Sequence, residues 1–171
     1  MEGHPIVTRK KHAKKKVVVT AGPTVEPIDP VRFFSNFSTG EMGYQIAKAC
    51  CDAGFETCLI TGPVNVTPPR GVKLVRVNTA REMRTSVLRE IKGATCLIMA
   101  AAVCDFRPEK VSAAKIKKTG SLTLRLVKNP DILSDVGQRK GLIKIGFALE
   151  TDRAAANAAG KLKAKKLDLS A

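Results

Sequence analysis

Residues 99–118 read MAAAVCDFRPEKVSAAKIKK. They continue an apolar run, residues 96–103 (CLIMAAAV), which gives way to Asp105. Asp105 is followed by Phe106, Arg107 and Pro108, then by a cluster of Lys115, Lys117 and Lys118. A buried strand that delivers an acid and then lysines at its C-terminal end marks the place where an open α/β sheet puts a ligand. Small alanines at 100–102 let a ring or a ligand backbone come close, and the lysines suit a polyanion such as a triphosphate.

Outward from this run, strands and helices alternate. Residues 17–20 (VVVT) form a β-branched first strand, closed by the turn Ala21-Gly22-Pro23-Thr24. Residues 25–39 read as a long loop with Pro27 and Pro30. A helix is expected from Gly40 to Gly54, with Met42, Ile46, Ala47, Ala49 and Cys50 on one side. Residues 57–61 and 72–77 are further strands. Residues 79–91 form a helix with Thr79 as N-cap and Glu82 three residues on. Residues 122–127 alternate as a half-exposed strand, 130–136 start a short helix and 143–148 are another strand. Residues 154–166 are an alanine- and lysine-rich helix, and residues 167–169 open a last strand. The alternation predicts an α/β fold: a Rossmann-like, mainly parallel sheet with helices on both faces. The pattern breaks off at its last strand, so a C-terminally truncated domain is expected, spanning residues 17–171 after a basic disordered tail or linker at 1–16.

A chain of 171 residues suffices for one domain with a real core. Apolar residues make up 44% and aromatic residues 4%, which favours aliphatic packing over an aromatic interaction surface. The formal net charge of +15 predicts anionic partners, part of it lying in the runs at residues 9–16 and 161–166. The five cysteines, Cys50, Cys51, Cys58, Cys96 and Cys104, form no CxxC pair. Neither a metal centre nor a disulfide framework is expected, and a reducing cytoplasm suits them. No apolar stretch is long enough to span a membrane. His4 and His12 both lie in the tail, which weakens any mechanism needing a histidine base.

Several loops carry candidate chemistry. The turn at 20–24 follows the first strand as a dinucleotide fingerprint would, but it lacks GxGxxG and reads equally as a tight turn. Residues 35–43 (SNFSTGEMG) bring hydroxyls, an amide and two glycines to a helix start, where exposed N–H groups bind anions. Ser38 or Thr39 could instead be an ordinary N-cap, and Asn36 could hold a carboxylate or acyl-phosphate oxygen or simply brace the loop. Asp105 could bind a ribose hydroxyl or a base edge, or it could cap the next turn or pair with Arg107. Asn129-Pro130-Asp131 is a second ligand loop or a plain helix start, and Lys161 and Lys165 share a helix face.

In order, VVVTAGPTVEPIDPVRFFSNFSTGEMGYQIAKA, MAAAVCDFRPEKVSAAKIKK, LVKNPDIL, GFALETD and KLKAKKLDL resemble the phosphopantothenoylcysteine synthetase family. That family is the synthetase half of the bacterial bifunctional coenzyme A biosynthesis flavoprotein. The resemblance covers residues 17–169. It implies a CTP-dependent ligase. The carboxylate of 4′-phosphopantothenate attacks the α-phosphate of CTP, giving an acyl-cytidylate and pyrophosphate. The amine of cysteine then displaces CMP. Such catalysis is mostly charge neutralisation and positioning, which lysines and backbone amides can supply.

By the same resemblance, Asn36 contacts the acyl intermediate and Lys115 is the catalytic lysine on a flap. Ser38, Thr39 and Gly40 would lie at the substrate. Ala101, Ala102 and Asp105 would line the nucleotide site, Asp105 holding the cytidine moiety. Asn129, Pro130, Asp131 and Ile132 would shape the nucleotide loop, with Phe147, Lys161 and Lys165 at further CTP-contacting positions. Mg²⁺ would accompany the triphosphate. A cytoplasmic homodimer and an upstream flavin-dependent decarboxylase domain are implied partners; nucleic acid and membrane are not. Thr39 and Glu41 stand where Ser and Lys are usual in the family, and Cys104 and Phe106 where Ala and Tyr are usual. The rival readings are a basic α/β module that binds nucleic acid, and a nucleotide or dinucleotide enzyme on a related fold.

Overall fold

Val17, Val18 and Val19 are all buried, and they face two different cores. Alternation along a strand puts Val18 on one side of the sheet and Val17 and Val19 on the other. A run without polar residues is therefore what a strand covered on both faces requires. The computed structural model describes residues 14–118, 120–147 and 168–170. It extends this strand to Lys16–Ala21 (β1), one residue before the expected boundary.

β1 is followed by β2 (Val25–Pro27), β3 (Phe33–Ser35), α1 (Glu41–Asp52), β4 (Glu56–Thr61), β5 (Lys73–Arg76) and α2 (Ala80–Glu90). Then come β6 (Cys96–Met99), β7 (Phe106–Pro108), β8 (Leu126–Lys128), α3 (Ile132–Val136), β9 (Ile143–Gly146) and β10 (Leu169–Ser170). Six strands form one sheet in the order β10-β9-β6-β1-β4-β5, and every pairing is parallel. The chain runs outward from β1 through β4 to β5, then returns to β1's other side as β6. The order thus reverses between β1 and β6, the crevice at which open α/β sheets bind ligands.

Each face of the sheet has its own cover. Val18, Cys58, Ile60, Leu97 and Met99 pack with Met83, Val87 and Ile91 at α2 and with Ile132 and Val136 of α3. Val17, Val19, Ala21, Leu59 and Ile98 pack with Tyr44 and Ala47 of α1. Each such aliphatic side chain contributes about 1.5–3 kcal/mol when fully buried.

Several expectations need correction. The stretch 25–39 is not all loop: β2 and β3 pair antiparallel within it. The buried face of α1 is Gly43, Tyr44 and Ala47, with Met42 and Ala49 exposed, because Gly43 sets how closely this helix meets β1. β6 ends at Met99, since the alanines that follow bend away toward the crevice loop. Of the expected strand at 122–127, only β8 forms, paired antiparallel with β7, and residues 121–126 are exposed. The helix at 154–166 and most of the basic tail lie outside the described residues.

α2 starts as its sequence directs. The Thr79 side chain accepts the Glu82 N–H at 3.2 Å, and Glu82 Oε2 accepts the Asn78 N–H at 2.8 Å. The acid thus reaches one residue further back than in the usual capping box.

Candidate functional site

The site is built where backbone segments pass unusually close to one another after β1. Gly22 has φ +71° and Gly40 φ +82°, a left-handed conformation that glycine adopts without a Cβ penalty. A Cβ on Gly40 would stand 3.1 Å from Gly22 Cα, and one on Gly62 would stand 1.6 Å from the Pro23 carbonyl oxygen. A Cβ on Gly43 would come within 2.9 Å of the Thr20 carbonyl. These glycines clamp the β1 turn between the end of β4 and the start of α1.

Neither Ser38 nor Thr39 is the N-cap residue of α1, although both hydroxyls accept N–H groups at its start. Ser38 Oγ accepts the Gly40 N–H at 3.3 Å and Thr39 Oγ1 accepts the Glu41 N–H at 3.4 Å, while Gly40 is the N-cap residue without a side-chain bond. Among the described residues, the N–H groups of Met42 and Gly43 have no acceptor. The first turn of α1 therefore still presents donors suited to an anion.

Asn36 is exposed and braced. Its Nδ2 donates to the Ala102 carbonyl at 3.0 Å and approaches Cys104 Sγ at 3.7 Å. Ala102 is fixed from the other side: its carbonyl also accepts the Thr24 N–H, and its own N–H donates to Gly22. Thr24 Oγ1 accepts the Cys104 N–H at 2.9 Å, and the Cys104 thiol donates to the Thr24 carbonyl at 3.3 Å. Burial pushes that thiol above its ordinary pKa, so Cys104 is a packing group here rather than a nucleophile.

Beneath the crevice, one buried carboxylate joins three segments. Glu26 Oε1 accepts the Ala80 N–H at the start of α2 at 2.9 Å and Asn129 Nδ2 at 3.1 Å. Asn129 Nδ2 also donates to the Cys104 carbonyl, and its Oδ1 accepts from Arg107. The Asn129 side chain is thus spent on shaping the loop. Asp131 accepts the Ser134 N–H and caps α3.

Above this floor lies a cleft of about 410 Å³. Ala101, Asp105, Asn129, Pro130, Asp131, Ile132 and Phe147 all line it. The structure therefore brings together seven of the expected nucleotide-site residues, drawn from three separate stretches of sequence. Ala102 sits behind this lining, held by its backbone. Lys161 and Lys165 lie outside the described residues. The alternative pairing of Asp105 with Arg107 does not form: Arg107 donates to Lys128 and Asn129 instead. Among the described residues the Asp105 carboxylate has neither hydrogen bond nor ion pair, so it stands at the cleft as an open acceptor.

Lys115 is exposed and is not part of the cleft lining. Its neighbour Ile116 is held instead by Asp29 and Arg32, two residues that sequence reasoning passed over. The one signal was an acid and an arginine three apart beside prolines, which any surface turn could carry. Arg32 beside Asp29 holds the Asp29 carboxyl well below the usual carboxylate range.

This chain is similar to two curated proteins, both named coenzyme A biosynthesis bifunctional protein CoaBC. It is 41% identical to that of Vibrio parahaemolyticus over 160 residues, covering 91% of this chain and 40% of the relative. It is 46% identical to that of Bacillus subtilis over 158 residues, covering 91% of this chain and 39% of the relative. The chain thus spans about 40% of the length of these relatives. Among solved structures, the C-terminal domain of a coenzyme A biosynthesis bifunctional protein CoaBC superposes with a TM-score of 0.82 at 37% identity, covering 91% of this chain and 76% of that one. The DNA/pantothenate metabolism flavoprotein C-terminal domain matches residues 12–171, and the chain belongs to that family.

Proposed function

We propose that this chain is a CTP-dependent ligase that joins 4′-phosphopantothenate to cysteine, giving 4′-phosphopantothenoylcysteine through an acyl-cytidylate. The observation that carries the reading is the cleft at the β1/β6 reversal, with Asp105 as its open acceptor. The names of the relatives, which assign them to coenzyme A biosynthesis, support it.

The roles follow from the chemistry each group can do. The Asp105 carboxylate accepts from a ribose hydroxyl or from the exocyclic amine of cytosine. A uracil edge presents a carbonyl there and would repel it. Ala101 leaves room for the nucleoside, and Phe147 and Ile132 give it apolar contact. The free N–H groups at the start of α1 and the Lys115 ammonium take phosphate oxygens. One oxygen of the acid forms a bond to the α-phosphorus as the bond to pyrophosphate breaks. The cysteine nitrogen then attacks the acyl carbon, loses its proton, and CMP leaves. Asn36, fixed on Ala102, steadies the acyl group during this second step.

Among the described residues no group of three or more His, Cys, Asp or Glu side chains could hold a metal. Mg²⁺ would instead ride on the substrate phosphates and keep several waters. Its contribution when bound is neutralisation of phosphate charge.

A homodimer, a cytoplasmic setting and an upstream flavin-dependent decarboxylase domain belong to the same proposal. Phe33, Phe34, Phe106 and Leu126, on the two small sheets, are exposed apolar side chains that a second copy would cover. Among the described residues no helix is long and apolar enough to cross a membrane.

The test is a thermal-shift screen with CTP, ATP, UTP and NADP in Mg²⁺, followed by product assay with 4′-phosphopantothenate and cysteine. A ligand at a hundred times its Kd stabilises by about 2.7 kcal/mol, so a selective rise with CTP is the expected result. Equal shifts with every nucleotide, or product formed without CTP, would overturn the reading.

A further inference from the structure

The segment 111–118 carries Lys115, Lys117 and Lys118 and has no helix or strand of its own. Such a segment needs external ties if one of its side chains is to act at a defined place. Among the described residues its hydrogen bonds to the rest of the chain converge on a single turn, residues 28–32. The Ser112 N–H donates to the Ile28 carbonyl at 2.9 Å. The Ile116 N–H donates to Asp29 Oδ2 at 3.1 Å, and the Ile116 carbonyl accepts from Arg32 Nη2 at 2.9 Å.

The turn is itself organised by Asp29. Oδ1 accepts the N–H groups of Val31 and Arg32, both at 2.9 Å. Oδ2 accepts Nε of Arg32 at 2.9 Å and also its Nη2. The Asp29 side chain is fully buried, whereas that of Arg32 is 39% exposed. A buried carboxylate is tolerated when it is paired and hydrogen-bonded, as here. Both peptide groups of Ile116 are thus gripped by one ion pair, one residue from Lys115.

We propose that Asp29 is a positioning residue, a buried latch that holds the Lys115 segment on the 28–32 turn and so fixes where that lysine can act. The proposal rests on the ligase reading only for what Lys115 does; the latch itself stands on the bonds to Ile116. The turn is continuous with β2, whose Glu26 floors the cleft, so the segment is tied to the same strand that supports the nucleotide loop.

Asp29→Asn separates the latch from the turn. An amide oxygen at the Oδ1 position still accepts from Val31 and Arg32. An NH2 group at the Oδ2 position cannot accept from Ile116 and repels the guanidinium. Two readouts are taken on the full chain. Tryptic cleavage after Lys115 and Lys117, followed by mass spectrometry, is expected to quicken roughly tenfold. The kcat for CTP-dependent pyrophosphate release is expected to fall roughly tenfold, with the KM for CTP within about threefold, and Asp29→Glu restores part of the rate. Unchanged cleavage in a folded Asp29→Asn protein, or faster cleavage with an unchanged kcat, would overturn the proposal. If the wild type releases no pyrophosphate, the ligase reading fails and the cleavage comparison still decides the latch. If Asp29→Asn gives no cooperative melt, hydrogen exchange of the wild type decides. Slow exchange at the Ile116 N–H supports the latch, and exchange as fast as at Ala114 and Lys117 sinks it.

Discussion

The amide nitrogen of Asn36 lies 3.0 Å from the carbonyl oxygen of Ala102, which ties an exposed loop side chain to the segment that leaves β6 for the cleft. The bond has a direction: Asn36 must donate. Aspartate has the same shape and cannot.

Asn36→Asp is therefore expected to leave CTP affinity within about threefold and to slow amide formation roughly tenfold or more, the loss that follows when a carbonyl faces an acceptor instead of a donor. Isothermal titration with CTP and a product assay from cysteine check the two halves separately. A normal product yield would remove Asn36 from the second step.

Lys115→Ala removes the cation expected beside the α-phosphate, where charge builds as pyrophosphate departs. Pyrophosphate release should fall about 10²–10³-fold, the range seen when one stabilising donor is deleted from a preorganised site. Because the side chain is exposed, the melting temperature should hardly move. An unchanged release rate would exclude Lys115 from the chemistry.

Gly62→Ala tests the crossing of backbones under the site. The added carbon would overlap the Pro23 carbonyl oxygen at 1.6 Å, and neither segment is a side chain that can swing aside. Overpacking of this kind costs about 1–3 kcal/mol or more. Urea denaturation should show that loss, together with weaker CTP binding. Gly54→Ala, whose Cβ would meet nothing within 4 Å, carries only the strain of a positive φ and should bind CTP normally.

Glu90 sets an acid limb of stability. Lys73 at 2.7 Å, aided by Arg89 and Lys16, pulls its pKa down to about 2. A carboxylate depressed on folding stabilises fully above its unfolded pKa, near about 4.3, and loses that contribution as pH falls through the folded value. The stability gap between wild type and Glu90→Gln should thus be constant at neutral pH and close from about pH 4.3 toward pH 2. Urea midpoints measured across that range check it. A gap that widened on acidification would contradict the assignment.

The main sheet was legible because its strands are short apolar runs bounded by turn or charge signals, as at Val17–Val19 before Gly22 and Pro23 and at Leu97–Met99 after Gly93. The grouping of the cleft residues was legible through ordered motifs, Asp105, Asn129 and Ile132 among them. What stayed hidden were the buried polar residues. Glu26 and Asp29 look like surface acids in sequence, and only tertiary placement turns them inward, at 3% and 4% exposure. The face of α1 was misread for a related reason. Gly43 sits closest to β1 because it has no side chain, and an apolar count gives it no weight. The strand at 122–127 failed because its alternation has no partner surface; β7 offers only three residues to pair with.

Glu26 Oε1 touches both the first N–H of α2 and the Asn129 amide. A surface helix and the floor of the ligand cleft thereby share a single atom as their hinge pin. Under the proposed function, substitutions that tilt α2 should be felt as a change in nucleotide selectivity well before the protein melts, and stabilising redesigns of that helix would retune the cleft along with the thermal tolerance.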